Sequence, residues 1–240
     1  MSLTRSLGRS HNELRSISIN TIDHLHAEGA VMVHYGHTQV MCLASVVEGV
    51  PRFLHDANQG WVTAEYSMLP RATNSRNERE SSKGKASPRS IEIQRLIARC
   101  MRSMVDLSLL KGYTIVVDCD VLQADGSTRT AAITGAAVAL AQAIQHMQYK
   151  RLIKEDPLKY MVSGVSVGWS DKHGALLDLD YQEDHKIDTD MNVVMTSEGR
   201  LVEVQSTAEG EALAVEHFQA MLDLAQAGCQ KLTEMQKSCL

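Results

Sequence analysis

Residues 123–130, Gln-Ala-Asp-Gly-Ser-Thr-Arg-Thr, join a predicted strand to a predicted helix and combine groups that bind an anion. The first amides of a helix have no acceptor within the helix, and the helix dipole adds positive potential there. Ser127 and Thr128 offer hydroxyl donors, and Arg129 offers a planar fork that matches two phosphate oxygens. The segment predicts a phosphate site, although it lacks the P-loop pattern. The alternative is an ordinary helix start capped by Ser127.

Arg89 lies in the first turn of another predicted helix, which Ser87 is expected to cap and in which Pro88 takes the first position. A cation at this end opposes the helix dipole. An unfavourable charge of this kind indicates an external anion, so Arg89 is a second candidate for phosphate binding. The alternative is an ordinary surface arginine.

Three aspartates, Asp184, Asp188 and Asp190, fall within the eight residues 183–190. Two carboxylates that converge across a short turn can hold Mg²⁺ through oxygen ligands and water, or one can act as a general acid. The alternative is turn chemistry, because Asp suits loops. The ten histidines and five cysteines show no metal-binding spacing, so no zinc site is predicted.

Residues 71–89 carry six cations and two carboxylates, a net charge of +4 in a chain whose total is −5. The rest of the chain therefore carries −9, and a compact basic segment on an acidic body indicates one localised polyanion site. Only ten residues are aromatic, so backbone phosphates must supply most of the affinity if RNA binds here. The alternative is a solvated loop.

The elements that must position these groups follow from hydrophobic periodicity. Alternating or β-branched segments predict strands, and apolar residues at helical spacing predict helices. In the first half the predicted strands are 14–19, 30–33, 40–47, 61–66 and 113–122, and the predicted helices start at 88 and 128. The stretch 71–87 has no periodicity and predicts a long loop or arm. Small residues in the second helix, including Gly135, predict close packing.

The second half repeats this arrangement of strands followed by a helix. Its predicted strands are 162–169, 175–181, 191–196 and 200–205, and its final helix is 211–236. The fold class is therefore α+β, with two related sheet-and-helix halves. The chain of 240 residues has 44% apolar and 22% charged residues, which excludes disorder, collagen and a simple coiled coil. Met1–Ser6 lack the apolar core of a secretory signal, so a cytoplasmic location is expected.

Many short motifs in order resemble the ribonuclease PH family of phosphorolytic exoribonucleases. The resemblance covers nearly the whole chain, from Gly8-Arg9 onward. It is carried by residues 26–29, 48–54, 59–66, 68–71, 76–77, 92–97, 118–126, 189–196 and 207–211.

The resemblance implies a ribosomal-S5-domain-2-like fold in two domains, 1–148 with a basic arm at 71–88, and 158–240. It implies a homohexameric ring, a trimer of dimers. Inorganic phosphate would attack the 3′-terminal phosphodiester of RNA and release a nucleoside diphosphate. The expected partners are tRNA precursors and other RNA 3′ ends, including ribosomal RNA, with no DNA and no membrane.

The resemblance also assigns roles to particular residues. Phosphate contacts match Arg89 and Ser127-Thr128-Arg129. The acidic pair, implicated in binding Mg²⁺ or Mn²⁺ and in proton transfer, matches Asp184 and Asp190, and with Arg129 it forms the expected catalytic set. The arm that grips tRNA matches Arg71, Arg76 and Arg79. The sequence departs from the family at Pro88, Ser127, Tyr160 and Ser206, where glycine is usual.

Two other functions compete with phosphorolysis. A catalytically silent ring subunit that only grips RNA would be expected to lose the arginine and aspartate positions, which are all present here. A hydrolytic nuclease with two metal ions would need more clustered carboxylates and would have no use for a phosphate clamp.

Overall fold

The structure is a computed structural model that describes Arg5 and residues 8–240, with the side chain of Lys83 left out. Residues 1–4, 6 and 7 of the predicted first domain lie outside the described residues. The expectation that Met1–Ser6 form no secretory signal therefore also falls mostly outside the described residues.

The first sheet has five strands in the order β1-β2-β3-β5-β4. Neighbouring strands run antiparallel except β4 and β5, which are parallel. Their alternating apolar residues face the interior, as the period of two predicts. The strands are β1 (Ile17–Thr21), β2 (Gly29–Tyr35), β3 (Thr38–Glu48), β4 (Trp61–Met68) and β5 (Tyr113–Gln123).

The first half contributes the helices α1 (Pro88–Met104) and α2 (Thr128–Tyr149). The Ser87 side chain accepts a hydrogen bond from the Ser90 amide, and Pro88 is the first helical residue, so the predicted start of α1 is confirmed. Short 3₁₀ turns occupy 52–54, 80–83 and 107–110. The second of them gives the predicted arm some local structure.

The second half forms an antiparallel sheet in the order β7-β6-β8-β9. Its strands are β6 (Val162–Ser170), β7 (Gly174–Leu177), β8 (Thr189–Thr196) and β9 (Leu201–Ala208). A single helical turn, α3 (Tyr181–Asp184), follows β7, and α4 (Val215–Lys237) packs on the sheet. Among the described helices, none combines the length and the apolarity needed to span a membrane.

Helix α2 lies between the two sheets and contacts β2, β3, β5 and β6. The predicted close packing is confirmed at Gly135, where a Cβ atom would fall 2.8 Å from Cys42 Sγ and 2.9 Å from Val33 Cγ1. A larger side chain there would have to displace buried neighbours. The helix therefore packs against the sheets of both halves.

Three predicted boundaries are wrong, and each has a local cause. The strand expected at 175–181 ends at Leu177, because Asp178 has a φ of +55° and Asp180 caps α3. The strand expected at 14–19 starts only at Ile17, since the amide and side chain of Arg15 both bind the Asp178 carboxylate. The helix expected from 211 begins at Val215, after an extended Ala214.

An acidic group lies on the face of the first sheet that turns away from α2. Glu65 on β4 pairs with Asp118 on β5, and Asp120 is two residues further along the same face. Burial raises the pKa of Asp118, and the neighbouring Glu65 and Asp120 raise it further. The folded state therefore holds the Asp118 proton more tightly than the unfolded chain does, so ionised Asp118 costs stability at neutral pH.

We expect Asp118→Asn to raise the melting temperature at pH 7 by about 1–4 °C, because it removes one like charge from a cross-strand pair. The gain should shrink as the pH falls through the Asp118 pKa, since the wild-type carboxyl then becomes neutral too. Thermal melts across pH 4–8 test this. Asp56→Asn, at an exposed position, is the control and should not respond. An Asp118→Asn variant less stable than wild type at pH 7 would contradict the repulsion.

Candidate active site

A cleft of about 1020 Å³ lies between the two halves. The structure brings seven of the nine predicted site residues to its wall: Arg71, Arg89, Ser127, Thr128, Arg129, Asp184 and Asp190. The arginines and the start of α2 come from the first half, and the aspartates come from the second. The site therefore depends on how the two halves are held together.

The loop before α2 is fixed by Thr38, a fully buried residue at the start of β3. The Thr38 hydroxyl donates to the Gly126 carbonyl at 2.6 Å and accepts from the Asp125 amide at 2.8 Å. Gly126 has a φ of +77°, and a Cβ atom there would fall 2.7 Å from the Leu179 carbonyl oxygen. Glycine lets this loop lie directly against the segment that leads into α3.

The structure corrects the expected role of the Ser127 hydroxyl. Ser127 occupies the cap position of α2, but its φ is +56° and its side chain makes no capping bond. Instead the hydroxyl donates to the Leu179 carbonyl at 3.0 Å and lies 2.7 Å from Ser166 Oγ. It is thus committed to the second half rather than to an anion. The first amides of α2 are left without a side-chain cap at the cleft wall, which favours an anion there.

Arg129 is held by a neighbour from each half of the chain. Its Nη1 donates to Gln205 Oε1 on β9 and lies 3.5 Å from Glu92 Oε1 on α1. Gln205 Nε2 also donates to Glu92 Oε1 at 3.2 Å, which closes a three-residue network. Within the described part of the chain, Nε and Nη2 of Arg129 have no hydrogen-bond partner, so one edge of the guanidinium can bind an anion.

Arg89 makes no hydrogen bond or salt bridge to any residue that the structure describes. It lines the same cleft at the first turn of α1. The Tyr66 hydroxyl donates to Thr128 Oγ1 at 3.0 Å, so the Thr128 hydroxyl keeps its own proton for another acceptor. Burial raises the pKa of Tyr66, which keeps the phenol a neutral donor. Arg89 and Thr128 thus offer hydrogen-bond donors with a net positive charge.

Asp184 and Asp190 form the acidic wall of the cleft. Asp184 ends α3, and Asp190 is the second residue of β8. Loss of hydration raises the pKa of Asp184, and Asp190 and Glu209 raise it further, although Arg89 and Arg129 act in the opposite direction. Loss of hydration also raises the pKa of Asp190, which Arg129 partly offsets. Asp184 and Asp190 are therefore both close enough to Arg129 for its charge to change their pKa values.

Asp188, the third aspartate of the predicted cluster, lies elsewhere. Its carboxylate accepts from the Asp171 amide at 3.2 Å, and it does not line the cleft. Among the described residues no group of three or more His, Cys, Asp or Glu side chains is arranged to hold a metal ion. A cation here would be held by a carboxylate pair and water, which is the arrangement that Mg²⁺ accepts.

The predicted RNA-binding arginines divide into two groups. Arg71 lines the cleft and donates to the Asn74 carbonyl at 2.9 Å. Arg76 and Arg79 are exposed and lie outside the cleft lining. The start of the arm is folded back on β5, since the Ala124 amide donates to the Ala72 carbonyl at 2.8 Å. The basic segment therefore borders the entrance of the cleft.

Sequence reasoning missed the residues that hold the site in place. Gln205 and Glu92 orient Arg129, Tyr66 orients Thr128, and Glu209 adds negative charge beside the aspartates. Their spacing in the chain gives no signal. Gln205 lies on β9, Glu92 on α1 and Tyr66 on β4, whereas Glu209 follows the end of β9. Glu92, Tyr66 and Glu209 do fall within the motifs that carry the family resemblance.

Two family models match most of the chain. Domain 1 of the 3′ exoribonuclease family matches residues 13–144, and domain 2 matches residues 160–228. These matches do not test the predicted domain bounds, 1–148 and 158–240.

Solved structures with the same fold cover nearly the full length. Rrp46 from rice (Oryza sativa) matches with a TM-score of 0.79 and 17% identity, over 98% of this chain and 99% of Rrp46. A chain of the Archaeoglobus fulgidus exosome with RNA bound to the active site has a TM-score of 0.80 and 23% identity, over 97% and 92%. A chain of an archaeal exosome core has a TM-score of 0.71 and 23% identity, over 96% and 90%.

These likenesses show that the predicted two-domain α+β fold of ribonuclease PH type is correct. On the matched residues, the chain belongs to the 3′ exoribonuclease family of ribonuclease PH-type proteins.

Proposed function

We propose that the protein is a phosphate-dependent 3′→5′ exoribonuclease that trims tRNA precursors and other RNA 3′ ends, including those of ribosomal RNA. The observation that carries this proposal is the cleft itself. It is lined by Arg89, Arg129 and the uncapped start of α2 and also by the Asp184 and Asp190 carboxylates, which supports an anion site beside a cation site. Joining two anions, inorganic phosphate and an RNA diester, needs positioning and charge neutralisation more than covalent chemistry.

The arginine side of the cleft would hold the attacking inorganic phosphate. The free edge of Arg129, the side chain of Arg89, the Thr128 hydroxyl and the first amides of α2 supply donors there. One phosphate oxygen would form a bond to the phosphorus of the last phosphodiester, and the bond from that phosphorus to the 3′ oxygen would break. The products are a nucleoside 5′-diphosphate and an RNA one nucleotide shorter.

The carboxylate side suits a hard divalent cation. Asp184 and Asp190 present oxygen ligands, and burial, with a smaller contribution from neighbouring carboxylates, raises the pKa of each. They would hold Mg²⁺, or Mn²⁺ in its place, which when bound neutralises charge on the diester. One of the pair would hold the proton that passes to the leaving 3′ oxygen.

The basic arm would supply grip without sequence preference. Arg71 at the cleft and the exposed Arg76 and Arg79 can bind backbone phosphates upstream of the 3′ end. We further propose a homohexameric ring, a trimer of dimers, in the cytoplasm. The similar structures, chains of an archaeal exosome core and of an exosome with RNA bound to the active site, support an RNA substrate and assembly into a larger particle.

The first test is an assay with RNA carrying a labelled 3′ extension and Mg²⁺, with and without inorganic phosphate. We expect nucleoside diphosphates, and only when phosphate is present, because the cleft provides a phosphate clamp. Thin-layer separation of mono- and diphosphates gives the answer directly.

Other products would favour another function. Monophosphates released without phosphate would make the protein a hydrolase. RNA that binds but is not shortened would favour the silent ring subunit. Two features favour the silent subunit. Pro88 has no amide donor, and the Ser127 hydroxyl is turned to the second half.

Arg129→Ala should lower phosphorolysis by about 100-fold or more, because it removes a charged donor from the site proposed for the attacking phosphate. The fold should persist, since the side chain lies at the cleft wall. Turnover at saturating RNA and the melting curve measure both effects. Arg200→Ala is the control, because it removes an exposed arginine in a surface ion pair outside the cleft. Near-normal turnover in Arg129→Ala would remove that residue from the mechanism.

Asp184→Asn should weaken binding of the divalent cation by about 10-fold or more, because one anionic oxygen ligand becomes a neutral amide. Titration with Mn²⁺, followed by its electron paramagnetic resonance signal, measures affinity without any turnover. Asp188→Asn keeps the same substitution in the same segment but outside the cleft, and should bind as wild type does. Equal affinity in Asp184→Asn and wild type would contradict a cation site at Asp184.

A further inference from the structure

Three arginines near the N-terminus, Arg5, Arg9 and Arg15, are buried together with three acids of the second half, Asp178, Asp180 and Glu183. The side chains of the ion pairs are 0–9% exposed. Burying charge is costly unless geometry and hydrogen bonding are good. Residues of this cluster make hydrogen bonds to segments on both sides of the cleft.

Arg5 and Arg9 hold the segment that carries Asp184. Arg5 forms a bidentate pair with Glu183, through Nε to Oε1 at 2.8 Å and Nη2 to Oε2 at 3.2 Å. Arg9 Nη2 donates to Glu183 Oε2 at 3.0 Å. Glu183 also completes the capping box of α3 with Asp180, and Asp184 is the next residue. The acidic wall therefore rests on the arginines of the N-terminal segment.

Arg15 reaches both walls with one guanidinium. Its Nε and Nη2 form a bidentate pair with the Asp178 carboxylate at 3.0 and 2.7 Å. Its Nη1 donates to the Asp125 carbonyl at 2.5 Å, in the loop that precedes α2. Ser127 Oγ lies 3.4 Å from Asp178 Oδ1 on the same carboxylate. The loop before α2 and the segment that leads to Asp184 are thus bonded to the same ion pair.

We propose that Arg15 is a positioning residue, which sets the anion site at the start of α2 in register with the carboxylates of the second half. This inference rests on the proposed phosphorolysis. It deepens that proposal, because it assigns the alignment of the two walls to a residue that touches neither phosphate nor RNA. Misplacement of reacting groups by about 1 Å can cost two orders of magnitude in rate. A lysine cannot replace this arginine, because it cannot form the bidentate pair and reach the carbonyl at once.

The test compares Arg15→Lys with wild type in two measurements, phosphorolysis and the rise in melting temperature caused by inorganic phosphate. A ligand that binds the folded state raises the melting temperature according to its affinity. We expect Arg15→Lys to fold, to raise the KM for phosphate at least about 10-fold, and to lose most of the phosphate-induced rise. A merely structural arginine would lower the melting temperature equally with and without phosphate.

Two further variants separate position from stability. Leu232→Ala, a fully buried residue of α4, should lower the melting temperature while leaving the KM for phosphate unchanged. The double variant Arg15→Met with Asp178→Asn removes both buried charges and tests the same inference if Arg15→Lys does not fold. It should regain stability without regaining the response to phosphate.

The outcomes distinguish the two proposals. If wild type releases diphosphates and is stabilised by phosphate, and the Arg15 variants match it in both measurements, the positioning role is wrong and phosphorolysis stands. If wild type neither binds phosphate nor releases diphosphates, the proposed function fails and the positioning role fails with it.

Discussion

Helix α2 is packed on both sides, and the rest of the molecule is arranged around that burial. Sixteen of its 22 residues are buried, and most of them are small. The approach is so close that a Cβ atom on Gly29 would fall 2.0 Å from the Ala139 carbonyl oxygen. Its first residue, Thr128, lines the cleft, whereas Tyr149 at the other end is exposed on the surface. The uncapped amides at Thr128 therefore open into the cleft.

Hydrogen bonds give this apolar packing a fixed register. The Tyr35 hydroxyl on β2 donates towards Thr134 Oγ1 on α2 at 2.8 Å, with the Gly164 carbonyl of β6 at 3.1 Å. Gln236 on α4 donates to the carbonyls of Thr134 and Val162 at 2.9 and 2.7 Å. Apolar contact alone is non-directional, whereas these hydrogen bonds are directional. These bonds fix the position of α2 against β2, β6 and α4.

Much of the fold was predictable because its signals are local. Period-two strands, the Ser87-Pro88 start of α1 and the small residues of α2 are each written in a few neighbouring residues. The errors arose where distant residues decide: Arg15 leaves the β1 ladder to bind Asp178, and Asp178 with Asp180 ends β7 and starts α3. The positions of the arginines and aspartates were found through anion chemistry and resemblance. The partners that orient them, Gln205 above all, were not, since a hydrogen bond across 76 residues leaves no mark on spacing.

The ion pairs of the N-terminal arginines join residues that are 163 to 178 positions apart. During synthesis the arginines leave the ribosome first, and their acids follow only after nearly three quarters of the chain has been made. At 5–20 residues per second this interval is roughly 8–36 s. For that time the first half can form its own sheet, but the loop at Asp125 lacks its bond through Arg15 to the second half. A nascent chain therefore carries the basic arm before it carries an assembled cleft, so the order of translation separates the appearance of these two features.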